Sequence, residues 1–201
     1  TVLLGVTGCI AAYKSCEIVR GLQKRGYRVK VMMTEHAAEF VGPVTFRSLT
    51  HEEVSIGLFD HPSDPIHHIS LAEEADLILL APLTANVMAK MACGIADDLF
   101  TTTLLAATCP VLIAPAMNVH MWQAAATQEN LARLRNRGVA VVEPATGHLA
   151  CGYDGQGKLA AVEDIVERAC EMLEEESLLA GRRVLVTAGP THEPIDAVRY
   201  I

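Results

Sequence analysis

Short apolar runs alternate with amphipathic stretches along the first 175 residues of the chain. The runs predict β-strands, and the stretches with apolar residues at helical spacing predict α-helices. The predicted strands cover residues 2–6, 28–34, 77–81, 111–114 and 139–142, and the predicted helices cover residues 10–25, 35–40, 122–137 and 162–176. The run at 77–81, LILLA, is apolar throughout, as a strand buried on both faces of a parallel sheet should be. This order predicts a three-layer α/β fold with a mostly parallel sheet.

The pattern changes near residues 174–183, where the run EEESLLAGRR predicts a polar linker. A further apolar run and a glycine turn follow it. About twenty residues are too few for a domain, so we expect them to open a second, truncated one. The predicted division is one domain over residues 1–175, followed by a linker and domain start over 176–201.

Composition and charge narrow the class of protein. The chain has 16 Lys and Arg against 24 Asp and Glu, a net charge of −8, which argues against a nucleic-acid binder. Its six cysteines show no C-x-x-C pair and no metal-ligand spacing, so we predict no metal site. No apolar run is long enough to span a bilayer, and there is no signal peptide. We therefore expect a cytoplasmic protein without a membrane partner.

A glycine turn follows the first predicted strand, in the sequence GVTGCIAA. In a Rossmann-like sheet, ligands bind beyond the carboxyl ends of the strands, where a turn and a helix N-terminus offer free N–H groups to an anion. The spacing is not G-x-G-x-x-G, and Thr34 stands near the end of the second strand where a dinucleotide site has an acidic residue. The turn favours a mononucleotide, and a tight turn without a ligand is the alternative.

Three further segments carry candidate chemistry. Thr84 and Asn86 follow the LILLA strand, where they could cap a helix or help to hold a phosphate. Asn118 follows the next strand and could bind a carboxylate or stabilise its loop, while the neighbouring methionines could equally be core residues. The adjacent pair His67 and His68 could place at most one histidine in a site, because neighbouring side chains point in different directions, and a surface or helix-start feature is the alternative.

Residues 147–158 contain four glycines and predict a mobile loop that could act as a lid. Cys151 lies within this polar segment, unlike the other five cysteines. It is the candidate for proton transfer or thiol chemistry, with an inert surface thiol as the alternative.

Taken together, the segments GCIAAYK, HHIS, APLTAN, APAMNVHMW and ACGYDGQGK resemble the homo-oligomeric flavin-containing cysteine decarboxylases. The resemblance covers residues 1 to about 175 and is strongest to the family's phosphopantothenoylcysteine decarboxylases. The tail TAGPTHEPIDAVRYI resembles the start of the phosphopantothenate–cysteine ligase half of bifunctional bacterial proteins. The resemblance implies bound FMN, the substrate 4′-phosphopantothenoylcysteine, and self-association as a homotrimer or a dodecamer of trimers.

The resemblance also implies a reaction and a role for each residue. The thiol is oxidised to a thioaldehyde, CO₂ leaves, and the enethiolate is reduced to give 4′-phosphopantetheine. His68 would assist removal of the thiol proton, Asn118 would hold the carboxylate, and Cys151 would protonate the enethiolate. The residues implied to hold FMN are Gly8, Cys9, Ile10, Ala11, Thr34, Thr84, Ala85 and Asn86, and those implied to contact substrate or flavin are Met117, Met121 and Lys158.

Three other functions are compatible with parts of this pattern. A peptidyl-cysteine decarboxylase would share the His, Asn and Cys roles, but the ligase-like tail argues against it. A flavin prenyltransferase of similar fold lacks the P-x-M-N segment and the loop cysteine. A non-catalytic flavin-binding regulatory subunit would usually have lost one of the three catalytic residues, all of which are present here.

Overall fold

The computed structural model describes residues 1–60, 63–148 and 154–177. The strands are β1 (Val2–Val6), β2 (Val29–Met33), β3 (Val54–Ser55), β4 (Leu77–Leu83), β5 (Val111–Pro115), β6 (Ala140–Val141), β7 (Ala145–His148) and β8 (Asp154–Lys158). The helices are α1 (Ser15–Lys24), α2 (Glu35–Ala38), α3 (Pro43–Thr50), α4 (His67–Glu74), α5 (Ala85–Cys93), α6 (Leu99–Ala106), α7 (Val119–Gln123), α8 (Ala125–Asn136) and α9 (Val162–Ser177), with a 3-10 helix over Ile10–Lys14.

Six strands form one parallel sheet in the order β3-β2-β1-β4-β5-β6. Val2 of β1 pairs with Val29 on one side and with Leu77 on the other. The chain therefore builds outward from β1 in one direction and from β4 in the other. The boundary between β1 and β4 is the topological switch point at which open α/β sheets form their ligand crevice.

Two apolar cores lie on the two faces of this sheet, and β1 shows why. Successive strand residues point to opposite faces, so Val2 and Leu4 join one core while Leu3 joins the other. The first core includes apolar residues of α1 and α9, and the second includes residues of α4, α5, α6 and α8. The three-layer α/β prediction is confirmed.

Several predicted elements differ from those observed. The helix predicted at 10–25 begins with the 3-10 turn before α1, and the helix predicted at 122–137 begins at Val119 and breaks at Ala124, whose backbone is extended. The segment predicted as a glycine-rich loop, residues 147–158, overlaps the end of β7 and includes all of β8, and these two strands pair antiparallel. Within the described ranges, no helix is long and apolar enough to cross a membrane.

Candidate functional site

A cavity of about 840 Å³ opens beyond the carboxyl ends of β1, β2 and β4. This is within the size range of small-molecule and cofactor sites. Six residues singled out from the sequence line it: Gly8, Thr34, Thr84, Ala85, Asn86 and Met121. They come from turns that are far apart in the chain, and the parallel sheet brings them together.

Thr7 joins the ends of β1 and β4 beneath this cavity. Its fully buried hydroxyl donates to the carbonyl oxygen of Pro82 at 2.7 Å and accepts from the backbone N–H of Thr84 at 3.0 Å. Both hydrogen-bonding functions of the hydroxyl are therefore used. Sequence reasoning missed this residue, because its two partners lie 75 and 77 residues away in the chain.

Gly8 has a packing reason to be glycine. A Cβ added there would lie 2.6 Å from Cβ of His36 and 3.2 Å from its carbonyl carbon. His36 belongs to α2, whose start is fixed by Thr34, because the Thr34 hydroxyl accepts from the N–H of Ala37 at 3.2 Å. The turn after β1 and the start of α2 thus approach more closely than any side chain at position 8 would allow.

The N-terminus of α5 borders the same cavity. Thr84 is its N-cap and accepts from the N–H of Val87 at 3.4 Å, and Ala85 and Asn86 in the first turn line the cavity. A helix N-terminus carries unsatisfied N–H groups and a partial positive charge, so this wall favours an anionic group.

A second wall of the cavity carries fixed charges. Lys90, further along α5, pairs with Asp97 at 2.7 Å and with Asp98 at 3.1 Å, and all three line the cavity. Burial raises the pKa of Asp98, but hydrogen bonds from Thr101 and Lys90 outweigh it and hold that pKa below its usual value. Because two carboxylates surround Lys90, the net charge of this wall is negative, and the wall disfavours a phosphate. The N-terminus of α5 is therefore the part of the cavity that would bind an anionic group.

Asn118 and its neighbours lie at the end of β5. The Asn118 side chain is half-buried and caps α7 by accepting from the N–H of His120 at 2.8 Å. Met121 is 49% exposed and lines the cavity, whereas Met117 is buried in the core that also contains Trp122. The structure thus places Met121, and not Met117, at the cavity wall.

The hairpin β7–β8 lies directly on this loop. The N–H of Met117 donates to the carbonyl oxygen of Gly157 at 2.9 Å, and a Cβ on Gly157 would approach the Met117 carbonyl oxygen to 2.4 Å. A Cβ on Gly155 would likewise lie 2.7 Å from Val119. These two glycines therefore permit close backbone contact. Lys158 is exposed at the end of β8, and Cys151 lies outside the described residues.

Four other predicted site residues that the structure describes are not among those that line the cavity: Cys9, Ile10, Ala11 and His68. His68 is half-buried in the first turn of α4 and forms no hydrogen bond within the described part of the chain. Cys9 and Ala11 pack against the core beneath the first turn, and burial raises the pKa of the Cys9 thiol. Ile10 is 59% exposed. The roles given to these residues stay predictions.

Comparison with known proteins identifies the class. Residues 1–174 match the model of the Flavoprotein family, so the chain belongs to the flavoproteins. Residues 179–201 match a second model, described as the DNA/pantothenate metabolism flavoprotein C-terminal domain.

Individual relatives show which members of the family the chain resembles. The coenzyme A biosynthesis bifunctional protein CoaBC of Bacillus subtilis is 50% identical over 99% of this chain and 50% of its own length. The chain thus spans about half the length of the curated relatives it matches.

Solved structures agree in fold. A cysteine-to-serine variant of PPC decarboxylase, complexed with pantothenoylaminoethenethiol, has a TM-score of 0.77 and 30% identity, covering 86% of this chain and 97% of its own. The FMN-dependent cysteine decarboxylase SpaF has a TM-score of 0.76 and 32% identity, covering 86% and 96%.

Proposed function

We propose that this chain binds FMN in the 840 Å³ cavity and decarboxylates 4′-phosphopantothenoylcysteine to 4′-phosphopantetheine, a step of coenzyme A biosynthesis. The observation that carries the proposal is the cavity itself, enclosed by the Gly8 turn and the N-terminus of α5 at the switch point of the sheet. The similarity to CoaBC and to PPC decarboxylase supports the choice of substrate.

The residues at the cavity fit a flavin mononucleotide. Free N–H groups at the start of α5 suit its phosphate, and the turn containing Gly8 lines the same cavity. Thr34, Thr84, Ala85 and Asn86 complete this wall. Bound FMN would supply two-electron redox chemistry, accepting and later returning a hydride at the thiol-bearing carbon of the substrate.

The chain's own residues would handle the protons and the carboxylate. His68 would take the proton of the substrate thiol as that carbon is oxidised to a thioaldehyde. The half-buried Asn118 amide would hold the substrate carboxylate until it leaves as CO₂. Cys151 would give a proton to the enethiolate in the final reduction, and Lys158 would meet the substrate phosphate.

Self-association belongs to the same proposal. Ile10 is 59% exposed and Tyr13 is 55% exposed beside the first turn, and Phe59 at the cavity wall is 86% exposed. Large apolar side chains grouped near a site favour burial against another protein surface. We propose a homotrimer, or a dodecamer of trimers, working in the cytoplasm without nucleic acid or membrane.

One measurement tests the function. The purified protein should show oxidised-flavin absorbance near roughly 380 and 450 nm and release CO₂ from phosphopantothenoylcysteine. Flavin absorbance with CO₂ release only from a peptide ending in cysteine would favour a peptidyl-cysteine decarboxylase. Flavin without either activity would indicate a regulatory subunit, and a colourless protein that cannot be reconstituted with FMN would refute the proposal.

A further inference from the structure

A chain of hydrogen bonds joins the edge strand β3 to the first turn of α4. Nε2 of His67 lies 2.8 Å from the hydroxyl oxygen of Ser55, and Nδ1 of His67 lies 3.0 Å from a carboxylate oxygen of Asp64. We propose that these three residues are positioning residues for His68, the next residue along α4. The inference rests on the proposed function, which gives His68 its proton-transfer role.

The direction of each hydrogen bond follows from the charge on Asp64. The hydrogen bond from His67, and then one from Ser70, hold the pKa of Asp64 below its usual value. The ionised carboxylate only accepts, so Nδ1 of His67 must donate to it. With the proton on Nδ1, Nε2 of the neutral imidazole is an acceptor, so the Ser55 hydroxyl donates a hydrogen bond to it and the two contacts fit one tautomer.

This arrangement has the connectivity of a hydrolytic triad but not its accessibility. Ser55 is only 2% exposed, so a carbonyl group from outside cannot reach its hydroxyl. A nucleophile must contact its substrate. The three residues therefore act on the structure around them.

The start of α4 depends on these hydrogen bonds, because its own N-cap residue donates or accepts none through its side chain. Ile66 is the N-cap and makes no side-chain hydrogen bond to the helix. Asp64 takes over that function: its backbone carbonyl oxygen accepts from the N–H of His67 at 3.2 Å, and its carboxylate lies 3.0 Å from Nδ1 of the same histidine. The first turn of α4, which consists of His67, His68 and the residues after them, is thus oriented through Asp64.

The other end of the chain of hydrogen bonds reaches the cavity wall. Ser55 immediately precedes Ile56, Gly57, Leu58 and Phe59, all of which line the cavity. His67 therefore ties the helix that carries His68 to the wall of the proposed flavin site. Breaking the tie frees α4 to shift relative to that wall, and a misplacement of about 1 Å can cost about a hundredfold in rate.

Ser55→Ala tests this inference because it removes one hydroxyl from β3 and leaves both histidines in place. Ser48→Ala is the matched control, since that hydroxyl donates to Val44 within α3. We expect Ser55→Ala to lower kcat by about tenfold to a hundredfold while KM and FMN content stay unchanged. Asp64→Asn, which keeps an acceptor oxygen for His67, should retain most of the kcat that Asp64→Ala loses.

A second readout does not depend on activity. In nitrogen-15 NMR spectra of the histidines, the wild-type protein should show His67 as the Nδ1–H tautomer. Ser55→Ala should mix the tautomers of His67 and shift the ring signals of His68, and Ser48→Ala should do neither. Wild-type kcat and unmoved His68 signals in Ser55→Ala would overturn the inference, as would equal losses in both serine variants. If the wild-type protein released no CO₂, the proposed function would fail, and the NMR comparison would still decide the positioning role.

Discussion

One methyl group added at Gly8 would test how the cavity is built. In Gly8→Ala the new Cβ would lie 2.6 Å from Cβ of His36, with the His36 carbonyl oxygen at 3.3 Å. Two of the three nearest atoms belong to the backbone of α2, so no side-chain rotation relieves the contact. The turn and the helix must separate, by roughly half an ångström or more, to restore an allowed distance.

The size of the effect follows from the cost of overpacking. Inserting a methyl group into a well-packed site costs about 1–3 kcal/mol. If the protein relieves the contact by changing the shape of the cavity, FMN binding must overcome that cost. The dissociation constant of FMN then rises by about 5- to 150-fold, since each 1.4 kcal/mol is a factor of ten.

In the assay, flavin-free protein is titrated with FMN, and binding is measured by the quenching of flavin fluorescence. Gly42→Ala is the matched control, because its Cβ would meet only Val44 at 3.9 Å and its φ of −61° suits any residue. The control should bind FMN as the wild-type protein does. A folded Gly8→Ala protein with wild-type FMN affinity would show that the contact between the turn and α2 does not shape the site.

Three further predictions concern other parts of the site. Thr7→Val leaves two buried backbone groups without their partner, at a cost of about 1–3 kcal/mol each. It should therefore lower Tm far more than Thr103→Val, which removes only one extra hydrogen bond to the Leu99 carbonyl oxygen within α6. Equal shifts in Tm would refute the Thr7 role. Asn118→Asp keeps a good helix cap but adds a negative charge, so Tm should be unchanged while KM for the carboxylate substrate rises; an unchanged KM would count against carboxylate binding. The hydrogen bond from Lys30 lowers the pKa of Glu74, so their ion pair stabilises the protein at neutral pH and is lost on acidification; the Tm difference between wild type and Glu74→Gln should therefore shrink as the pH falls, and a constant difference would exclude this linkage.

The sheet was predictable because its strands are continuous apolar runs. The run at 77–81 became the central strand β4, although the strand continues to Leu83. The short elements were not predicted, because β3 has only two residues and α4 has no side-chain N-cap. The start of α6 had a usable signal, since Asp98 and Thr101 form a capping box that the spacing D-x-x-T already contains.

Part of the site was predictable for a topological reason. Parallel strands end at one edge of the sheet, so the turns containing Gly8, Thr34 and Thr84 had to meet there. Thr7 and Ser55 were missed for the converse reason. The partner of Thr7 is 75 residues away and that of Ser55 is 12 residues away, and no local pattern announces a contact of that kind.

The glycines of residues 147–158 show how one residue type supports two opposite predictions. Glycine permits motion, which led to the prediction of a lid, but it also permits close backbone approach. The contacts of Gly155 with Val119 and of Gly157 with Met117 are of the second kind, and they dock β8 on the loop that carries Asn118. In sequence, Cys151 lies between β7 and β8. The placement of the proposed carboxylate-binding residue against β8 therefore depends on these two glycines, because any side chain at either position would force β8 away from the loop that carries Asn118.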